Sequence, residues 1–252
     1  MPLRPQLLRL LRHPVIVPAG AFLLFALTMW LMWPSAQYRT LTAGHSVEGR
    51  PLECTIHGNG PRVILLMASI HGSEGAGTPL LQRFQRWLAE KPDVLRGNTV
   101  LVMPVANPDG LLRGDRLNSH GVDLNRNFAA DNRRDSERFG LTPLSEPESR
   151  AMAALIEKHQ PQLIVSIHQP LECIDYDGPP ETEALAKRLA DACGLPVKKL
   201  GARPGSLGAW FGEVLGRPIL TMELPREAPA DAAELWSRYG PGLIGLMRQV
   251  PE

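Results

Sequence analysis

The chain has 252 residues, long enough to bury a substantial core and too long for a disulfide-stapled miniprotein, and its three cysteines are too few and scattered for a thiolate metal site. Lys and Arg number 27 against 26 Asp and Glu, a formal net charge of +1, so no long-range field recruits nucleic acid and none is expected as a partner. The 23 Gly and 24 Pro exceed average usage but fall short of a disordered composition, which predicts a folded chain with many tight turns.

Residues 1–14 carry Arg4, Arg9 and Arg12 and no acid. Residues 15–33, VIVPAGAFLLFALTMWLMW, are uncharged, and at about 1.5 Å per helical residue they reach roughly 28 Å, close to the hydrocarbon thickness of a bilayer. The preceding arginines, with Trp30 and Trp33 at the far end, predict a single-pass N-terminal transmembrane helix in the cytoplasmic (inner) membrane, N-terminus inside and the remainder on the periplasmic or outer side. Trp33 and Pro34 make a poor exit for signal cleavage. Residues 34–43 read as a short linker and 44–252, which lack repeats and low-complexity tracts, as one catalytic domain.

Short apolar runs at Arg62–Ser69, Thr99–Met103, Leu163–His168 and Pro218–Glu223 suit buried strands. Helical periodicity marks Thr78–Glu90, Glu146–His159, Glu181–Ala192, Ser206–Leu215 and Asp231–Arg248, the last expected to end or kink at Pro241. Ser145 and Glu148 match a capping box for the second helix. Alternating elements predict an α/β fold: a mixed, mostly parallel twisted sheet covered by helices on both faces, with ligands gathered beyond the carboxyl ends of its strands. Cys173 and Cys193 are a conceivable disulfide, although three buried thiols is the simpler expectation.

Two such strand ends carry chemistry. His71 and Glu74, three apart in Ser69-Ile70-His71-Gly72-Ser73-Glu74-Gly75, can converge on one point, and His168 ends the run LIVSIH. Imidazole nitrogen and carboxylate oxygen both suit zinc, and a catalytic site needs three protein ligands with an open position. Spacing alone leaves this reading beside a plainer one, since a strand-end His more often satisfies a core hydrogen bond.

Asn107-Pro108-Asp109-Gly110 and Gly121-Val122-Asp123-Leu124-Asn125-Arg126-Asn127-Phe128 tip the balance. With the H-x-x-E pair, an intervening Arg, the distant His and a strand-end Glu in Thr221-Met222-Glu223-Leu224-Pro225, the chain resembles the zinc metallocarboxypeptidases over roughly residues 44–230. Three further segments, Leu144–Glu148, Val165–Ile174 and Pro204–Trp210, are most similar to bacterial members that cleave the γ-D-glutamyl–meso-diaminopimelate bond of peptidoglycan peptides.

The resemblance implies one Zn²⁺ per chain held by His71, Glu74 and His168, with Glu223 as general base and acid. It implies that Asp123 orients His71, that Arg113 stabilises the oxyanion with Arg116 as the competing assignment, and that Asn125 and Arg126 grip the substrate carboxylate. It implies a peptidoglycan peptide as partner, beside the membrane that the N-terminal helix would engage. Asn107 and Asp109 suit a type I turn and are left outside the site. One departure is that no Tyr lies between Lys198 and Glu223, where digestive members carry a mobile one. Two other functions fit parts of the pattern: an N-acyl amino acid deacylase of the aspartoacylase or succinylglutamate desuccinylase type, which the intact N-P-D-G disfavours, and a noncatalytic zinc-containing protein that binds wall peptides.

Overall fold

Side chains alternate across a strand, so along Arg62–Ala68 (β3) Ile64, Leu66 and Ala68 point to one face and Leu65 and Met67 to the other, and both faces need cover. The computed structural model, which describes residues 38–229 and 231–248, supplies it. Around β3 lie β1 (Tyr38–His45), β2 (Pro51–Gly58), β4 (Asn98–Met103), β5 (Leu163–His168), β6 (Leu171–Asp177) and β7 (Ile219–Pro225), in the order β1-β2-β4-β3-β5-β7-β6. The central β4-β3-β5-β7 pairs are parallel, and β1, β2 and β6 join antiparallel at the edges.

The α-helices are α1 (Gly77–Glu90), α2 (Pro108–Arg113), α3 (Pro147–His159), α4 (Thr182–Cys193) and α5 (Ala232–Arg248). Leu80, Leu81, Phe84 and Leu88 of α1 pack with α4 and α5 on one face of the sheet. Met152, Leu155 and Ile156 of α3 pack with Phe128 and Trp210 on the other. From β3 the chain steps outward to β4 and then returns past β3 to β5, so successive connections diverge between β3 and β5 and leave a crevice at their carboxyl ends.

The apolar runs read as strands lie in the sheet within a residue or two, and the predicted helices are present with two differences. Gly208–Val214 is π-helical, and Pro241 sits inside α5 without ending it. The capping box does not form. Glu146 is the N-cap of α3 without a side-chain bond, because Ser145 accepts from Asn127 Nδ2 and Glu148 is buried, accepting from Val47 N–H and Asn118 Nδ2. All three cysteines are buried free thiols.

The expected membrane anchor is corrected. Among the described residues no helix is long and apolar enough to cross a membrane, and the stretch 15–33 lies outside them. The longest described helix, α5, is amphipathic: Glu234, Arg238 and Arg248 are exposed, while Leu235, Leu243 and Leu246 are buried in the core. The single-pass inner-membrane localisation therefore has no support from the fold. Strand structure already begins at Tyr38, inside the stretch read as linker.

His57 on β2 links this packing to pH. It is 1% exposed, stacks on Tyr38 at 5.1 Å, lies 3.0 Å from Thr55 Oγ1 through Nε2, and leaves Nδ1 unpartnered. Burial pushes its pKa down to about 4, whereas an unfolded histidine titrates near about 6.5. The unfolded chain thus binds the proton more readily, and this contribution to stability is complete above pH ~6.5 and lost as pH falls toward ~4. Urea unfolding across that interval should show His57→Gln with a shallower loss of stability than the native chain. Parallel profiles would contradict the neutral, buried imidazole.

Candidate metal centre and active site

Ser69, immediately after β3, takes a left-handed φ of 52°, a conformation costly for a residue with a Cβ, and turns the chain out of the sheet plane. Its hydroxyl lies 2.8 Å from Thr78 Oγ1 at the start of α1, which fixes the turn. The next loop carries His71 and Glu74 over the crevice. Asn107 braces that loop from below. Its side chain caps α2 by accepting from Gly110 N–H at 2.9 Å, while its backbone N–H donates to Ser69 O at 3.0 Å. Gly72 seats directly on this turn: a Cβ there would lie 2.0 Å from the Gly110 carbonyl carbon, so only glycine fits. Asn107 therefore supports the site from outside it.

His71 Nδ1, Glu74 and His168 bring their ligand atoms within 4.8 Å of one another, and all three residues are buried. Each imidazole is oriented through its other nitrogen. His71 Nε2 lies 3.0 Å from Asp123 Oδ1, and His168 Nε2 lies 3.0 Å from Ser166 Oγ, two residues earlier on the same strand face. Both rings thereby turn Nδ1 toward Glu74, His168 at 2.9 Å from Oε2 and His71 at 3.0 Å from Oε1. His71 Nδ1 makes no hydrogen bond even at that distance and is buried without a partner. A buried, unsatisfied imidazole nitrogen converging with a second imidazole and a carboxylate is the donor set that zinc takes, and the residues fit the metal.

Burial alone would raise the Glu74 carboxyl, but the His168 hydrogen bond and the facing His71 imidazole hold it well below the ordinary carboxylate range. Asp123 behaves alike: burial opposes its charge, and the His71 hydrogen bond with the nearby Arg116 and Arg126 keeps it ionised. His71 is pulled up by Asp123 and Glu74 against burial. Glu223 differs. Burial pushes its carboxyl up, only partly opposed by the His168 charge and by Leu171 N–H, which donates to Oε2 at 3.3 Å. Register explains its place, since His168 on β5 pairs with Glu223 on β7.

His71, Glu74, His168 and Glu223 line a cleft of about 350 Å³. Arg116 is in it, donating to Glu74 Oε1 at 2.8 Å and Asp123 Oδ2 at 3.2 Å. Arg113 is not: it lies on α2 against Glu48 and donates to Ser119 Oγ at 2.8 Å, outside the cleft. The expected oxyanion role of Arg113 is therefore not matched by its position, because the turn after α2 points the next arginine inward instead. Asn125 and Arg126 sit side by side on the wall. Asn125 Oδ1 accepts from Leu207 N–H at 2.9 Å, which leaves its amide nitrogen free to donate. The cleft also contains Asp175, Asp177 and Arg203, which sequence reasoning missed. The two aspartates fall in β6, whose alternating polar residues carry no apolar strand signal.

Comparison with known proteins agrees with this geometry. Residues 34–194 match the zinc carboxypeptidase family model. Murein peptide amidase A of Escherichia coli K12 is 35% identical over 206 residues, covering 75% of this chain and 80% of the relative. The Vibrio campbellii murein peptide amidase A is 31% identical over 230 residues, covering 83% and 87%. The crystal structure of murein-tripeptide amidase from Escherichia coli O157 superposes with a TM-score of 0.63 at 32% identity, covering 84% of this chain and 93% of that one.

Outer hydrogen bonds to a ligating histidine typically contribute about 10- to 100-fold in metal affinity. Asp123→Asn should weaken zinc binding by roughly that factor in chelator competition. Gly72→Ala, which must push the His71 loop off Gly110, should weaken it too, while Gly245→Ala on α5, whose Cβ meets nothing within 4 Å and whose backbone is helical, should not.

Proposed function

The chain belongs to the zinc carboxypeptidase family and is a zinc metallopeptidase, and from that premise we propose that it hydrolyses the amide bond between γ-D-glutamate and meso-diaminopimelate in peptidoglycan-derived peptides. The observation that carries this reading is the convergence of His71, Glu74 and His168 beside Glu223, in a chain similar over most of its length to murein peptide amidases.

His71 Nδ1, Glu74 and His168 Nδ1 would hold the zinc. When bound, the metal supplies Lewis-acid polarisation of the scissile carbonyl and lowers the pKa of a water. Glu223 has Oε2 held by Leu171 N–H, so Oε1 is the atom that takes the attacking water's proton and returns it to the departing amine. Its raised pKa suits a group that must both accept and release a proton. One water is consumed, the C–N bond breaks, and a carboxylate and an amine leave.

Arg116, rather than Arg113, would stabilise the developing oxyanion. Its guanidinium already bridges Glu74 and Asp123 at the cleft wall and needs little reorganisation. The Asn125 amide and the Arg126 fork would grip the carboxylate beside the scissile amide. Burial lowers the Arg126 pKa and Asp123 raises it, but a guanidinium remains a cation throughout.

Cleavage of L-Ala-γ-D-Glu-meso-diaminopimelate by the purified chain should vanish on chelation and return with zinc. Glu223→Gln should lose roughly 10²- to 10⁴-fold in kcat while retaining zinc. Arg116→Ala should lose about 10²- to 10³-fold, and Arg113→Ala should stay within a few-fold of the native rate. Turnover of N-acetylaspartate or succinylglutamate instead of the tripeptide would replace this reading with a deacylase, and tight tripeptide binding without cleavage would replace it with a binding protein.

A further inference from the structure

The zinc ligands, Glu223, Arg116, Asn125 and Arg126 do not use all the charge in the cleft. Asp175 and Asp177 on β6 and Arg203 in the loop before the π-helical turn remain. The two aspartates are 6% and 4% exposed. Asp175 accepts Leu200 N–H through Oδ1 at 2.8 Å. Asp177 has Oδ1 3.2 Å from Lys199 Nζ and Oδ2 packed on Gly208, where a Cβ would lie 2.4 Å away. Glycine at that position leaves room for the carboxylate. One half-exposed ammonium against two buried carboxylates leaves the floor negative. Arg203 is exposed at the rim and close enough to Arg126 to oppose its charge.

Register gives the distances. Cys173 pairs with Glu223, Asp175 with Thr221 and Asp177 with Ile219, so both aspartates share a sheet face with Glu223. At about 3.4 Å per residue, Asp175 is about 7 Å and Asp177 about 14 Å along the strand from the level of Glu223. An extended chain of three methylenes separates the two amino acid centres of meso-diaminopimelate by about 5 Å. A side chain reaching from a scissile amide at Glu223 therefore brings its end group to the level of Asp175, with Asp177 deeper along the same strand.

We propose that Asp175 on the floor and Arg203 at the rim select a residue whose side chain ends in both an ammonium and a carboxylate, Asp175 taking the ammonium above the more deeply set Asp177 and Arg203 the carboxylate. This rests on the amidase reading and names the groups that set its specificity. A lysine side chain satisfies only Asp175, and a pimelate-type side chain only Arg203. Either substrate leaves one charged group of the cleft without its partner.

The test compares kcat/KM for three γ-D-glutamyl peptides, ending in meso-diaminopimelate, in lysine, and in 2-aminopimelate, which lacks the distal amine. The native chain should prefer the first by roughly ten- to a hundredfold over each of the others, as charged hydrogen bonds warrant. Arg203→Ala, at an exposed position that folding tolerates, should abolish the preference over lysine and keep the preference over 2-aminopimelate. Arg203→Lys should restore it in part. Asp175→Asn should do the reverse, and competitive inhibition by free meso-diaminopimelate against free lysine gives the same ranking without turnover. Equal use of all three peptides by the native chain, or an Arg203→Ala variant with unchanged ratios, overturns the proposal and leaves the amidase reading standing. No cleavage of any of the three removes the amidase reading itself.

Discussion

Glu74, held between two imidazoles, is the contact on which the rest of the site depends. Its two oxygens face His71 Nδ1 and His168 Nδ1 at 3.0 and 2.9 Å, and Arg116 closes the remaining side at 2.8 Å. A buried carboxylate without partners is costly, and so is a buried imidazole nitrogen without one. Bringing them together resolves the cost of the carboxylate and leaves His71 Nδ1 still without a hydrogen bond, in the arrangement that a divalent cation would complete. The same arrangement makes metal and proton competitors. Zinc binds deprotonated ligands, so filling the site displaces whatever protons the pair of histidines holds beside Glu74.

Three ligands separated by nearly a hundred residues can meet because the sheet fixes their relative height. Ala68 on β3 pairs with Ile167 on β5, and His168 pairs with Glu223 on β7, so the two metal loops and the proposed base leave the sheet at one level. A slip of one residue in either pairing would turn His168 or Glu223 to the opposite face. The apolar alternation that buries Ile64, Leu66, Val165 and Ile167 beneath α1 holds that register. Core packing and metal geometry are thus one constraint expressed at two ends of the same strands. The left-handed Ser69 and the Gly72 contact on Gly110 then carry His71 from the strand end to the metal position.

What the sequence made legible follows from this division. The buried central strands announce themselves by unbroken β-branched and apolar runs, and the H-x-x-E pair, the strand-end His and Glu223 sit at their ends. The antiparallel strands β1, β2 and β6 mix polar with apolar residues, so their patterns resemble loop. Ser145 and Glu148 have capping-box spacing, yet longer-range partners at Asn127, Val47 and Asn118 claim both side chains. Local chemistry lost to tertiary hydrogen bonds. Arg113 and Arg116 are three apart in one segment, and only the left-handed Gly114 at the end of α2 decides which of them enters the cleft. Spacing alone does not encode that choice.

The specificity groups were hidden for a related reason. Asp175 and Asp177 stand in a run that mixes acids with apolar residues, and nothing in that run by itself marks a strand. Placed on β6, they alternate onto the face of Glu223 because antiparallel pairing sets Asp175 opposite Thr221. Arg203 approaches from a different connection, after α4, and is adjacent to Arg126 only in three dimensions. Metal ligands must satisfy a fixed coordination geometry and therefore occupy strict sequence contexts at strand ends. Groups that read a substrate's far end need only the right charge at the right depth, and many connections can supply it. Catalytic chemistry is for that reason the more legible part of such a chain, and substrate choice emerges only once the edge strand and the loop before the π-helical turn are set beside the crevice.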